Sequence, residues 1–584
     1  MKLTDELKKE IGQGTDILTL TGPGYWVGNV IFMKRNVIAS HIAGLQQHAR
    51  DAGQTMALGI GTDQEGGLVS AFSTSGVATL FPGAMALASI PNVETGGTLK
   101  SSLDVAEAVY AAQGAELNHL GVNWVFAPVG DVNTFGDDPE RVAQYVQSSC
   151  KGLTSVGIAP SVKHFPGHGD TRVDSHLGLP RVWKEWDSKP DATGLEDIEL
   201  IPFRRLIENK STCNNESDMI TIMTGHMSLP LVTGKGDEPA SLSAAVTNGI
   251  LREKTKGLGF EGVIVTDCLE MNAISKTKED LEKEKKGEPT SEGIGANPGT
   301  NVKDEADRGG EWAGGPGIEE GAILALEAGA DVVMICHTFE KQKGAVERVW
   351  EAVESGRISL DKLRESSTRI TRWKKALHLE WDLYDQRGPW NQATWAQLKR
   401  QHAELSTTAY SRIVACLKEG EMLNTNSKVV IFTPAMESYN LAVDDAEGVL
   451  RTKEGAVRNT AGASFISFTE AIRMRIPEAH HVVFGQGDID SLHVAADEQV
   501  VFTLRNADRG RWQLQALERV LALVKRQIVV VSSSTPYDLV GFESVHRTPY
   551  VHLACNEYTK PALEAVAKVI FGEQKPVGKL PVVV

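Results

Sequence analysis

Cysteine is scarce in this chain: six in 584 residues, at positions 150, 213, 268, 336, 416 and 555, with no Cys-x-x-Cys pair. That spacing argues against a disulfide framework and suits reduced thiols in a cytoplasmic protein. Positive charge is also in short supply. Sixty Lys and Arg face 76 Asp and Glu, a formal charge of −16, and no basic cluster is interleaved with aromatics. Nucleic acid and anionic membrane are therefore poor candidates as partners. No uninterrupted apolar run reaches the length of a membrane span. The N-terminus, Met1-Lys-Leu-Thr-Asp-Glu-Leu-Lys-Lys9, lacks the apolar core of a signal peptide. A cytoplasmic location is the expectation, and secretion follows only if a signal has been removed. There is no Walker loop, and Gly22-Pro-Gly24 and Gly59-Ile-Gly61 are too short for dinucleotide fingerprints.

What remains is 41% hydrophobic and 23% charged residues over a length that exceeds one ordinary core. Two or three domains are expected. Eight apolar, β-branched runs in the first ~380 residues read as strands. They are Ile17–Leu20, Asn29–Phe32, Thr55–Ile60, Val122–Ala127, Ala159–Val162, Met219–Met223, Gly262–Thr266 and Asp331–Ile335. Helical patterns such as Ser102–Leu120, Ile318–Ala328 and Gly344–Val353 separate most of them. Alternation of strand and helix predicts a (β/α)8 barrel over 1–383. A polar Gly- and Lys/Glu-rich tract at about 276–317 interrupts it after the seventh strand. It reads as a solvated insertion, or as a lid, since it leaves the barrel's catalytic face. A linker and connecting helix over 384–420 lead to a second α/β unit, a smaller sandwich over 421–584. Its strands are expected at Val429–Phe432, Val482–Phe484, Val500–Leu504, Ile528–Val531 and Tyr550–Leu553.

The most informative segment is Lys163-His-Phe-Pro-Gly-His-Gly-Asp-Thr-Arg-Val-Asp-Ser-His176. It crowds three histidines, two aspartates and a lysine just past a buried strand, where titratable groups are expensive unless they have a task. Gly167 and Gly169 would let such a loop swing. The segment resembles the signature of family 3 glycoside hydrolases in the β-N-acetylglucosaminidase branch, K-H-F-P-G-H-G-D-T-x-x-D-S-H, at every specified position. Gly262-Val-Ile-Val-Thr-Asp267 resembles the same family's nucleophile motif, and Gly61-Thr-Asp-Gln-Glu-Gly-Gly67 contains its D-Q-E-G-G.

The residues and the resemblance assign roles together. Asp267 stands at the C-terminal mouth of a barrel strand, where a carboxylate can attack the anomeric carbon. Glu270 is the rival carboxylate. His176, two residues from Asp174, can be an acid/base whose ring that carboxylate orients. In the family this Asp-x-His pair has that role. The resemblance further implies that Lys163 and His164 contact sugar hydroxyls and that Asp63 holds the non-reducing-end hydroxyls, which makes the enzyme exo-acting. His226 ends another strand and is a candidate for the same mouth, with packing as its alternative reading. A metal held by His164, His168, His176, Asp170 and Asp174 competes for the same residues, but their spacing matches no H-E-x-x-H helix or zinc hook. Neither metal nor cofactor is expected. One family feature is missing. Ala127-Pro-Val-Gly-Asp131-Val-Asn-Thr134 runs straight into Phe135-Gly-Asp-Asp-Pro139, without the loop and arginine that bind substrate in the family. Arg141 falls two residues past that proline, on the expected next helix.

The expectation is a retaining exo-β-N-acetylglucosaminidase acting on a GlcNAc-containing glycoside. A phosphorylase or β-glucosidase of the same fold and a catalytically weakened carbohydrate-binding protein are the alternatives.

Overall fold

The computed structural model describes residues 29–32, 39–92, 101–171, 175–176, 178–187, 189, 193–209, 216–286, 313–388, 390–425, 427–435, 461–546 and 548–584. Contacts divide the chain into two compact units. One comprises Met1–Gln64, Tyr110–Thr134 and Asp138–Leu398, the other Glu65–Val109, Phe135–Asp137 and Lys399–Val584.

The first unit is built on seven parallel strands, each paired with the next in chain order. They are β1 (Asn29–Phe32), β2 (Gly59–Thr62), β3 (Trp124–Val125), β4 (Ala159–Phe165), β5 (Thr221–Thr224), β6 (Val263–Cys268) and β7 (Val332–Met334). Sequential parallel pairing is the order of a β/α barrel. Seven of the eight expected strands are here, and the eighth, Ile17–Leu20, lies outside the described residues. Helices α1 (Ala39–Asp51), α2 (Ser102–His119), α3 (Pro139–Thr154), α4 (Ile201–Glu208), α5 (Ile318–Ala328), α6 (Phe339–Glu354) and α7 (Leu360–Ala376) lie between or after the strands. Asp138 starts α3, its carboxylate accepting from Glu140 N (3.0 Å) and Arg141 N (3.4 Å) with Pro139 in the first turn.

The sheet is curled, because side chains from many strands meet in one core. Trp124, Ala159, Met223, Val263, Val265 and Val332 cluster there with Ile370, Trp373 and Leu377 of the α7 region. Trp373 stacks edge-on against Trp124 and donates to Met219 O at 3.1 Å. Each large apolar side chain so buried contributes about 1.5–3 kcal/mol. At the opposite end from the strand mouths, Asp331 joins Arg369 (2.9 Å), Ile264 N (2.9 Å) and Arg252.

Three boundaries depart from the sequence reading. The apolar run from Thr55 is not ladder from its start. Met56 bridges Glu380 and Ala57 donates to Leu379 O, so this stretch ties the chain after α7 to the barrel base and β2 begins only at Gly59. Strand β4 continues through Lys163 and His164 to Phe165, with an irregular register against β5 between Val162 and Phe165. The tract at 276–317 is described only at its ends. These meet through a Thr277–Gly315 bridge and a Gly315 N to Lys276 O bond of 2.7 Å, while 287–312 lie outside the described residues.

The second unit holds a six-stranded sheet in the order β8-β13-β12-β11-β9-β10. These are β8 (Ala415–Lys418), β9 (Lys428–Pro434), β10 (His480–Phe484), β11 (Glu498–Leu504), β12 (Ile528–Ser532) and β13 (Tyr550–Ala554). All pairings are parallel except the edge strand β8. Helices Gly462–Arg473, Trp512–Leu523 and Lys560–Ile570 complete it, and Phe432, Phe484, Phe502 and Trp512 share one of its cores. No helix among the described residues is long and apolar enough to cross a membrane.

Candidate active site

The strand mouths of the first unit gather the polar residues of the signature. Asp267 is the penultimate residue of β6, following the apolar run Val263–Val265 that fixes the strand in the core. Its Oδ1 accepts from Cys268 N at 2.7 Å, and its Oδ2 lies 3.8 Å from His164 Nε2. Burial opposes its charge, but the nearby His164 and Lys163 and the bond from Cys268 N favour the ionised form, and its pKa is lowered. A carboxylate held ionised at a barrel mouth can act as a nucleophile.

Lys163 and His164 come from neighbouring positions of β4 and take different partners. Lys163 Nζ bonds Asp63 Oδ1 at 2.8 Å, immediately past β2, and this lysine side chain is almost fully buried. His164 Nδ1 meets Asp131 Oδ2 at 2.8 Å, and His164 N donates to Asp131 Oδ1 at 3.1 Å. His168 N donates to the same oxygen at 2.7 Å. Burial alone would lower the His164 pKa, but the Asp131 charge and hydrogen bond, with Asp267 beyond, raise it overall. The same contacts with His164 and His168 overcome burial and lower the Asp131 pKa.

His226 is fully buried. Its Nδ1 meets Ser241 Oγ at 2.8 Å and its Nε2 meets Cys268 O at 2.9 Å. A carbonyl only accepts, so Nε2 carries a proton, while the Nδ1 contact with a hydroxyl suits either a neutral or a charged ring. Burial lowers its pKa and so favours the neutral ring, with Nδ1 accepting from the serine hydroxyl. His226, a candidate for the substrate mouth, thus has both ring nitrogens engaged by protein atoms. It fixes the peptide that follows Asp267.

His176 lies in the loop after β4, close enough to His226 for its charge to bear on that ring. The loop is fastened beside the nucleophile strand, since the buried Ser175 accepts from Ala273 N at 3.2 Å in the turn after β6. Asp174, expected to orient His176, lies outside the described residues.

Residues 23–288 match the model of the glycosyl hydrolase family 3 N-terminal domain. A β-hexosaminidase of Tolumonas auensis is 32% identical over 259 residues, 43% of this chain and 69% of that protein. The chain belongs to glycosyl hydrolase family 3. β-Hexosaminidase A of Pseudoalteromonas piscicida is 26% identical over 96% of this chain and 90% of its own. A glycoside hydrolase family 3 β-N-acetylglucosaminidase from Paenibacillus sp. str. FPU-7 superposes with a TM-score of 0.74 at 28% identity, covering 99% of this chain and 98% of that one.

In this family 3 protein the rival carboxylate is otherwise engaged. Glu270 is buried, accepting from His337 N at 2.6 Å and Thr338 N at 3.0 Å, where it caps the start of α6. The loop glycines also differ from expectation. A Cβ on Gly167 would come within 2.6 Å of Glu199 Cβ, and one on Gly169 within 2.1 Å of Val132 O. They permit close packing, and the stretch between them is pinned to Asp131 through His168. His168 Nδ1 is itself engaged by Thr171. Arg141 lies on α3, as expected, with its guanidinium 3.3 Å from Tyr145 OH.

Asp131, which carries no role in the motif comparison, is the carboxylate that anchors His164 and His168. Its signal was a carboxylate in the stretch Ala127-Pro-Val-Gly-Asp131, in a loop beside β4. Asp131→Asn is expected to lower the His164 pKa and to destabilise the fold by roughly 3 kcal/mol, the cost of breaking a buried pair from one side. The depressed Asp131 pKa stabilises above the ordinary carboxylate value of 3.8 and is lost as pH falls below it. The raised His164 pKa stabilises below 6.5 and is lost as pH rises through the folded value. The deficit should therefore be largest between those limits. Histidine titration by NMR and thermal melts across that range check it.

Proposed function

We propose that this protein is an exo-acting, retaining β-N-acetylglucosaminidase. Asp267 attacks the anomeric carbon, and His176, oriented by Asp174, protonates the leaving oxygen and then activates water. The observation that carries the reading is the state of the carboxylates at the mouth. Asp267 is held ionised, while Asp63 is paired to Lys163, Asp131 is bound by His164 and His168, and Glu270 caps α6. Each of these three has a protein partner, which supports giving proton transfer to the imidazole of the Asp174-Ser-His176 motif, in a loop fastened beside β6. The Lys163–Asp63 pair offers a donor and an acceptor to the sugar's terminal hydroxyls, which favours end-cleavage. The preference for GlcNAc rests on the signature and on the relatives named β-hexosaminidase.

The test is hydrolysis of nitrophenyl β-GlcNAc and nitrophenyl β-glucoside, with and without phosphate, with the first-formed anomer followed by NMR. Release of β-GlcNAc, indifferent to phosphate and faster than glucose release, is expected. Formation of GlcNAc-1-phosphate, preference for glucose, or sugar binding without turnover would each refute the reading.

A further inference from the structure

Two cysteines that look unrelated in the sequence meet beside the nucleophile. Cys268 ends β6, next in the chain to Asp267, and Cys336 lies two residues past the end of the adjacent β7. The β6–β7 register shifts after Val265, setting Cys268 opposite Met334, and Leu269 N donates to Met334 O at 2.9 Å. The two thiols consequently face each other, and the imidazole of His337 joins them. One ligand atom from each of Cys268, Cys336 and His337 lies within 4.8 Å of the others. Among the described residues this is the group whose donor atoms converge as metal ligands do.

The cluster is held from both sides. Cys268 N donates to Asp267 Oδ1 and Cys268 O accepts from His226 Nε2. On the other strand, His337 N and Thr338 N bond Glu270, and Gln342 Nε2 holds Ile335 O at 2.9 Å. Cys268 is buried, whereas Cys336 and His337 are part-exposed, so one side is open to solvent. Two sulfurs and an imidazole nitrogen are the donor set of zinc-class ions, and three protein ligands leave a fourth position for water. Zn–S and Zn–N bonds of about 2.3 and 2.1 Å place tetrahedral ligand atoms about 3.5–3.8 Å apart. Side-chain adjustments of an ångström or so close the present spacing to that value.

We propose that Cys268, Cys336 and His337 form an inhibitory site for a soft divalent cation of the zinc class. Binding exchanges the thiol protons for the metal without any redox step, and the protons pass to solvent. The charges of Asp63 and Asp267 reach Cys336, so they also reach a cation held there. That cation would neutralise the field of Asp267 and oppose its attack. The site is distinct from the metal reading of the His164–His176 loop, and it is not needed for turnover.

The experiment titrates the intact protein with Zn2+ and, separately, Co2+, under a non-chelating reductant. Zn2+ should inhibit glycoside hydrolysis, EDTA should restore it, and Mg2+ should have no effect. Cys336→Ser and His337→Gln should each raise the inhibitory Zn2+ concentration at least tenfold. Co2+ should give a thiolate-to-cobalt charge-transfer band in the wild type that Cys336→Ser abolishes. The cobalt band needs no turnover, so it stands or falls apart from the hydrolase reading on which the activity arm rests. Absence of that band, or Zn2+ inhibition undiminished in Cys336→Ser, overturns the proposal. The latter would place the ion on the carboxylates and imidazoles of the mouth.

Discussion

Asp267→Asn is expected to lower kcat by roughly three orders of magnitude or more, because covalent attack is an interaction made only on the way to the transition state. The substitution preserves shape. Asn keeps an oxygen able to accept from Cys268 N, the 2.7 Å bond that would be the whole role of a strand-end cap. A cap alone therefore predicts near-normal turnover in a folded variant, and the nucleophile predicts collapse. KM should change far less than kcat. Asp267→Gly with azide supplies a second readout. Azide entering the vacated space should yield the α-glycosyl azide, an inverted product that a merely misfolded variant cannot make. The lowered pKa has a consequence for the wild type. Asp267 stays ionised below the ordinary aspartate range, so an acid-side fall in kcat/KM near neutrality comes from another group.

The barrel strands were legible because a buried parallel strand is a short apolar, β-branched run, and β6 fits that description. The end of β4 was not legible, since Lys163 and His164 are polar residues inside a strand and only their partners Asp63 and Asp131 explain them there. Edge strand β8 was missed because it is short and half-exposed and pairs antiparallel to a strand far along the chain. The site divides in the same way. Motif and strand-end position pointed to Asp267, Lys163 and His164, which the fold brings near one another. Partnership decides the rest: Glu270 and Asp267 lie three residues apart, yet one caps a helix and the other faces His164. His226 looks like a mouth residue until both its nitrogens are traced to protein atoms. Gly167 and Gly169 suggest mobility in one dimension and tight packing in three. The Cys268–Cys336 approach depends on a register shift that no local pattern encodes.

His176→Ala should discriminate between leaving groups, and that pattern is more informative than its size. A general acid contributes in proportion to the basicity of the oxygen it protonates. Dinitrophenyl glycosides depart as stable anions, so their cleavage by Asp267 should be nearly unaffected. Chitobiose has a poorly departing sugar, and its kcat/KM should fall by roughly two to four orders of magnitude. On the activated substrate the second step, in which the same imidazole activates water, should become limiting. The glycosyl-enzyme would then accumulate, kcat and KM would fall together, and mass spectrometry would find the sugar on Asp267. Asp174→Ala should move the same quantities in the same direction but less, as an orienting partner does. The chemical logic excludes a structural explanation. A loop histidine that only holds its loop in place, for instance through the Ser175–Ala273 contact next door, would slow activated and unactivated substrates alike. Equal losses on both would remove His176 from the mechanism and return the search to the other titratable groups of the mouth.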